Sequence, residues 1–89
     1  MLEREIDVVN RLGLHARAAA KLVHLAGGYR SAVSLFVDGE EVDAKSILGI
    51  LLLAAAQGTR VVVRCDGDDE AAAMTAIQAL FADRFGESE

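Results

Sequence analysis

The 89-residue sequence predicts an α+β fold, a two-layer open-faced sandwich in which three helices cover one face of a four-stranded sheet. Stretches of alternating apolar residues are interleaved with stretches of helical periodicity, and their order along the chain is βαββαβα. Each helix has an apolar stripe that must be buried, and one face of the sheet offers the surface that buries all three. The length suits one domain, and no proline or Gly/Ser-rich linker suggests a boundary within residues 1–89.

The N-terminal third is predicted to hold a strand and a helix. Leu2–Val9 alternates between apolar and acidic residues, but Arg4 interrupts the apolar set, which predicts a strand that is partly exposed or at an edge. After a turn at Asn10–Leu14, a helix begins at His15 or Ala16 and continues to about Ala26. We expect Gly27-Gly28 to end this helix in the left-handed conformation, which glycine adopts without strain.

The middle third is predicted to form a hairpin followed by a short helix. Ser31–Val37 alternates, Asp38-Gly39 suits a tight turn with positive φ, and Glu40–Asp43 is the return strand. The second helix spans Ser46–Leu53 or slightly more. Its Ser46 hydroxyl is placed to accept a hydrogen bond from the free N–H groups of the first turn.

The C-terminal third is predicted to add one strand and one helix. A turn at Gln57–Thr59 leads into the strand Arg60–Cys65, and Asp68 or Asp69 caps the last helix. Gly86–Glu89 reads as a loose end. The apolar stripe of the last helix consists of Ala73, Met74, Ile77, Leu80 and Phe81.

Composition and charge narrow the function classes. Nucleic-acid binding requires a basic stripe and aromatic stacking surfaces. With a formal charge of −5 and 4% aromatic residues, the chain offers neither. The longest apolar stretch, Ile50–Ala56, is far shorter than the ~20 residues of a membrane helix, and the first residues lack the apolar region of a signal peptide. We therefore expect a cytoplasmic protein with no nucleic-acid partner and no membrane insertion.

The residues that commonly hold metals are not suitably placed. His24 lies nine residues after His15 on the same helix, so the two cannot share an ion, and the single Cys65 is expected to be a small buried apolar residue. The acidic stretch around residues 66–70 lacks the twelve-residue ligand spacing of a calcium loop. We predict no metal site and no cofactor.

The stretch Gly13-Leu14-His15-Ala16-Arg17 is the most informative for chemistry. It places a histidine at a helix N-terminus, where free N–H groups and the helix dipole attract anions and favour a neutral imidazole. Arg17 offers a planar set of donors to phosphoryl oxygens, and Gly13 lets the backbone approach a reacting group. Spacing alone leaves proton abstraction, anion binding and phosphoryl acceptance open, and a polar helix cap beside a surface arginine fits equally well.

The same stretch, continued by Ala18-Ala19, resembles the active-site signature of the HPr family, the histidine-containing phosphocarriers of the phosphoenolpyruvate-dependent sugar phosphotransferase system. The stretch Asp43–Leu51 and the turn Gln57–Thr59 also match, so the resemblance covers nearly the whole chain. It implies an antiparallel sheet in the order 1-4-2-3. It also implies a carrier, rather than a stand-alone enzyme, that accepts a phosphoryl group from enzyme I on Nδ1 of His15 and passes it to enzyme IIA.

Within this resemblance, the phosphate contacts fall on Ala16, Arg17 and Ala18. The family usually has proline where this chain has Ala18, and we expect retained function with a slightly looser start of the helix. Some relatives have a polar residue at the position of Leu12, which cannot help to hold the phosphate.

The resemblance also implies regulation and docking. Ser46 matches the serine that HPr kinase/phosphorylase modifies with ATP in some bacteria, and its phosphate would alter the adjacent docking surface. The second helix is apolar nearly all round, so we expect two or three of its large residues to be exposed. We expect a monomer whose partner-docking residues are Ala16, Ala20, Lys21, His24, Ile47, Leu48 and Leu51.

Three alternatives stay open. The chain could be a regulatory interaction module of the same fold, in a nitrogen-type or kinase-controlled branch without sugar transport. It could also be a small anion-binding domain without phosphotransfer. A stand-alone enzyme is disfavoured, because the sequence offers no second acid–base group paired with His15.

Overall fold

A computed structural model describes all 89 residues of the chain. The elements follow the predicted order βαββαβα, and a short 3₁₀ helix at Arg84–Gly86 follows the last α-helix. The longest helix has 13 residues, so none of the helices could span a bilayer. The elements are β1 (Leu2–Asp7), α1 (Ala16–Gly27), β2 (Ala32–Val37), β3 (Glu40–Asp43), α2 (Ile47–Leu53), β4 (Arg60–Asp66) and α3 (Glu70–Ala82).

The sheet has the order β1-β4-β2-β3, and every neighbouring pair is antiparallel, which confirms the predicted topology. In its centre Leu35 of β2 lies opposite both Val42 of β3 and Val63 of β4. Strand β1 is at an edge and Arg4 is exposed, as the interrupted alternation predicts. The β2–β3 turn has positive φ at Asp38 and Gly39.

The core lies between the helices and the inward face of the sheet. The central strands contribute Val33, Leu35, Val61, Val63 and Cys65, all of them buried. Burial raises the pKa of the Cys65 thiol, in keeping with its expected role as a small apolar residue. The helices contribute four alanines and five large residues, three of the latter from α3. The buried helical residues are Ala18, Ala19, Leu22, Ala26, Ile50, Ala73, Met74, Ile77 and Phe81.

The predicted left-handed end of α1 is wrong. Gly27 is the last helical residue, and Gly28 has a φ of −78° in the right-handed region. The N–H of Gly28 donates to the carbonyl of Leu25, so a continued helical turn satisfies the last carbonyls without a change of handedness. It is α2 that ends in a left-handed residue, Ala54, with a φ of 51°.

The predicted side-chain cap of α3 is also wrong. Asp69 occupies the cap position but makes no hydrogen bond to the first turn. Its carboxylate instead accepts from the N–H groups of Arg30 and Ser31, at 2.8 and 2.9 Å, and from the Ser31 hydroxyl. The aspartate therefore links the start of α3 to the segment that enters β2, because donors in that segment approach it more closely than those of its own helix.

The C-terminal residues do not form the predicted loose end. Phe85 is fully buried and packs edge-on against Phe81, with ring centroids 4.9 Å apart. Arg84 and Phe85 both have positive φ, which turns the chain back over the N-terminal end of α1 after α3. The last residues consequently lie beside the loop that precedes α1, where the Arg11 N–H donates to the carbonyl of Glu89.

Candidate functional site

The loop before α1 is held by backbone contacts with the segment that follows α2. The N–H of Leu14 donates to the carbonyl of Ala55 at 2.9 Å, and Gly13 has a φ of +68°. A Cβ at Gly13 would lie 2.5 Å from that same carbonyl oxygen. Glycine at position 13 therefore permits a close approach of the backbone to Ala55. This contact replaces the expected approach of the backbone to a reacting group.

His15 is the N-cap residue of α1, with extended backbone angles and a side chain that is 27% exposed. Its Nδ1 accepts a hydrogen bond from the N–H of Arg17 at 3.3 Å, and its Nε2 contacts Oε2 of Glu87. A carboxylate only accepts hydrogen bonds and a backbone amide only donates them. These contacts assign the proton to Nε2 and leave the lone pair on Nδ1, at the N-terminus of the helix.

The groups predicted to bind phosphate lie in the first turn of α1, directly after His15. The N–H groups of Ala16 and Ala18 have no acceptor within the protein, as expected for the first turn of a helix. The Arg17 side chain is exposed and forms no ion pair. It lines a shallow cleft of about 450 Å³ together with Arg11, Leu12, Lys21 and residues of the C-terminal tail. The cleft thus brings three cationic side chains together with Glu87, the residue that contacts the imidazole.

Glu87 is a site residue that the sequence did not reveal. Its Oε1 accepts from Asn10 Nδ2 at 3.0 Å while its Oε2 contacts His15. The hydrogen bond from Asn10 and then the one from His15 lower the pKa of the Glu87 carboxyl. The expectation that no acid–base group accompanies His15 is therefore wrong. One feature of the sequence could have indicated that the tail packs against the protein. Phe85 lies four residues after Phe81 and so extends the apolar stripe of α3 toward the tail.

Ser46 caps α2 as predicted. Its Oγ accepts from the N–H of Gly49 at 3.1 Å, and the side chain is half-buried. The large residues that follow it are exposed on the surface of α2, namely Ile47 at 44%, Leu48 at 67% and Leu51 at 37%. Leu52, which the sequence did not single out, is exposed at 70%, so the apolar surface is larger than predicted.

The predicted docking residues of α1 are all on the surface. Ala16, Ala20, Lys21 and His24 are exposed, and the last three line a second shallow cleft with Arg17. The Lys21 ammonium group donates to the carbonyl of Phe85 at 2.5 Å. Lys21 therefore also holds the C-terminal tail, a contact that no pattern in the sequence predicted.

Comparisons with known proteins agree with this fold. The family model described as the PTS HPr component phosphorylation site matches residues 2–83. The phosphocarrier protein HPr of Cupriavidus necator is 53% identical over 89 residues and covers all of both chains, and that of Xylella fastidiosa is 55% identical over 87 residues, with 98% of each chain covered.

Solved structures agree as well. The crystal structure of HPr-C-His from Thermoanaerobacter tengcongensis superposes with a TM-score of 0.96 at 40% identity, and the match covers 100% of both chains. A family match over nearly the whole chain, relatives at more than half identity and the same topology lead to one conclusion: this chain belongs to the HPr family of phosphocarrier proteins of the phosphotransferase system.

Proposed function

We propose that the chain accepts a phosphoryl group on His15 from phosphorylated enzyme I and passes it to a histidine of enzyme IIA. The observation that carries this proposal is the Nδ1 lone pair at the N-terminus of α1, beside the unpaired guanidinium of Arg17. A histidine that served only as a helix cap would not need an arginine without an ion pair two residues further along the helix.

The transfer step follows from this geometry. The Nδ1 lone pair attacks phosphorus, the new Nδ1–P bond forms, and the N–P bond of the donor phosphohistidine breaks, returning its electron pair to the donor nitrogen. His15 loses no proton, because Nδ1 carries none. The Arg17 N–H leaves Nδ1 as the Nδ1–P bond forms, and the amides of Ala16 and Arg17 and the Arg17 side chain hold the equatorial oxygens while donor and acceptor nitrogens lie in line.

Exposure of the site suits a carrier. His15 and Arg17 lie at the surface, where both a donor and an acceptor histidine could reach Nδ1. Solvent-exposed amides and one arginine stabilise a phosphoryl group only moderately, since water screens them. A carrier needs this moderate stability, because tighter binding would oppose the second transfer.

The test is phosphotransfer from phosphoenolpyruvate through enzyme I and Mg²⁺, followed by intact mass measurement. We expect one phosphoryl adduct on the wild type, lost on acid treatment and discharged by enzyme IIA. His15→Ala should give no adduct, while His24→Ala, which removes the other histidine, should still carry one adduct when the reaction is complete, with any effect of this docking residue confined to the rate. Absence of an adduct with an active enzyme I would exclude the carrier role and favour the regulatory module without sugar transport.

We further propose that Ser46 is a regulatory phosphorylation site. The proposal is supported by its position as the cap of α2, where the helix N-terminus tolerates a negative charge next to the exposed Ile47 and Leu48. With ATP and an HPr kinase we expect an acid-stable adduct that Ser46→Ala abolishes and the control Ser34→Ala retains. An adduct that persists in Ser46→Ala would place the modification elsewhere.

We also propose that Ile47, Leu48 and Leu51 dock the partner proteins, together with the exposed residues of α1. The support is their exposure on a helix beside the His15 loop, and a monomer leaves this surface free. Leu48→Ala should weaken binding to enzyme I about tenfold in calorimetric titrations, since it removes most of a large apolar contact. Val62→Thr, on the sheet face away from the helices, serves as the control, and equal affinities of both variants would contradict the assignment.

A further inference from the structure

We propose that Glu87 is a positioning residue for phosphotransfer: it holds His15 as the tautomer protonated on Nε2 and compensates the positive charge that the ring gains when Nδ1 is phosphorylated. The inference rests on the proposed function of His15. It assigns a role to the C-terminal tail, a segment that neither the signature around residues 13–17 nor the match over residues 2–83 includes.

The tail is anchored at the site. Phe85 is fully buried against Phe81, and the Phe85 carbonyl accepts from the Lys21 ammonium at 2.5 Å. Gly86 follows with a φ of +78°, and a Cβ at this position would lie 2.9 Å from Nζ of Lys21. These three contacts therefore fix the position of the backbone that leads into Glu87.

The Glu87 carboxylate is held on both oxygens. Oε1 accepts from Nδ2 of the fully buried Asn10, and Oε2 contacts Nε2 of His15. The same Asn10 amide donates to the carbonyl of Gly13 at 2.8 Å. Asn10 therefore ties the carboxylate to the loop that carries His15, so carboxylate and imidazole keep a fixed relation.

The contacts of the imidazole ring determine which of its two nitrogens carries the proton. In water, neutral imidazole exchanges its proton between the two nitrogens, and only the form with a free Nδ1 lone pair can attack phosphorus there. The carboxylate requires an N–H at Nε2, and the Arg17 amide requires a lone pair at Nδ1. Both contacts select the reactive form before the donor arrives.

The carboxylate also matters after attack. Once Nδ1 bonds to phosphorus and Nε2 keeps its proton, the ring carries a positive charge. The loop and α1 add only cations to the cleft, Arg11, Arg17 and Lys21, which oppose that charge. The other carboxylate side chain that lines the cleft, Glu89, is paired with Arg11. Glu87 is the anion in contact with the ring, so it stabilises the charged ring directly.

The experiment compares Glu87→Ala, Glu87→Gln and Glu87→Asp with the control Asp83→Asn, which removes a carboxylate of the same C-terminal segment that makes no contact with His15. The ¹⁵N chemical shifts of His15 report the tautomer, and the rate of phosphorylation by enzyme I reports transfer. We expect the ¹⁵N shifts of Glu87→Ala to move toward a mixture of tautomers. Its transfer rate should fall about tenfold, the effect of one hydrogen bond to a charged group.

The other variants separate charge from hydrogen bonding. Glu87→Gln keeps an acceptor for Nε2–H and should retain the tautomer while losing most of the rate. Glu87→Asp should recover part of the rate, and Asp83→Asn should match the wild type in both measurements. A wild-type rate and unchanged ¹⁵N shifts in Glu87→Ala would overturn the inference, as would a faster rate, which would mean that the tail competes with the phosphoryl group. If the wild type accepted no phosphoryl group, the proposed function would fail, and the ¹⁵N shifts alone would still decide whether Glu87 positions the ring.

Discussion

At the scale of single residues, the distinguishing feature of Arg17 is the absence of an ion pair. Its guanidinium is exposed and forms no ion pair, whereas Arg60 and Arg64 are paired with acidic side chains on the sheet. An arginine without a structural partner can be replaced at little cost in stability. It is also free to bind two phosphoryl oxygens at once with its planar donors.

We therefore expect Arg17→Ala to lower phosphotransfer about a hundredfold and Arg17→Lys about tenfold, because lysine keeps the charge but not the paired donors. The free energy of unfolding should stay within about 0.5 kcal/mol of wild type. Rates from rapid-quench labelling and urea unfolding curves check both statements. Arg30→Ala, at an exposed arginine beyond the C-terminal end of α1, is the matched control, and an equal loss of rate in that variant would contradict the special role of Arg17.

At the scale of elements, the start of α1 has a feature that bears on its stability. Ala18 is fully buried, yet its N–H lies in the first turn and has no acceptor within the protein. The family usually places proline at this position. Proline would remove no hydrogen bond, and it would reduce the conformational freedom of the unfolded chain.

We expect Ala18→Pro to raise the free energy of unfolding by about 0.5 kcal/mol and to leave the phosphotransfer rate within about twofold of wild type. Chemical denaturation and the phosphotransfer assay measure the two effects. Ala20→Pro is the informative comparison, because residue 20 is beyond the first turn and proline there removes a helical hydrogen bond at a cost of about 3 kcal/mol. A loss of stability in Ala18→Pro would show that the buried methyl site has no room for the ring.

At the scale of the whole molecule, one carboxylate links two distant parts of the chain. Asp69, at the start of α3, accepts from Ser31 and Arg30 at the entrance to β2, and these bonds, led by the Ser31 hydroxyl, lower its pKa to about 2. An unfolded aspartate titrates near pH 3.9, at about its ordinary value. The folded state is therefore stabilised by ionised Asp69 above about pH 4, and this stabilisation is lost as the pH falls toward 2.

We expect wild-type stability to fall steeply between about pH 4 and pH 2, and Asp69→Asn to be less stable at pH 6 with a flatter pH dependence. Urea midpoints at pH 6, 4 and 3 measure the difference. Glu70 and Glu87 also have lowered pKa values, through hydrogen bonds from the N-terminal amine and from Asn10, so part of the slope remains in the variant. Asp68→Asn, at an exposed neighbour without hydrogen bonds, should follow the wild-type profile, and identical profiles for both variants would contradict the assignment to Asp69.

The features that the sequence predicted correctly depend on neighbours within one or two turns. Alternation and helical periodicity predicted all seven main elements, and the Ser46 cap spans only three residues. The pairing of a helix-capping histidine with a nearby arginine is local too, which is why a candidate site could be predicted before the fold was known. Strand order came from the resemblance to a family, since periodicity says nothing about which strands become neighbours.

Only the tertiary structure decided which residues far apart in the chain come into contact. Glu87 reaches His15 across 72 positions, and Asp69 reaches Ser31 across 38. The predictions for Asp69 and for the C-terminal tail were wrong for the same reason. Local sequence patterns contain no information about which hydrogen-bond donors another element brings near. The sequence by itself determined the elements and indicated His15 as the candidate phosphoryl acceptor. The partner of the Nε2 of His15 was decided by packing, because Phe85 is buried only once α1 and α3 lie side by side.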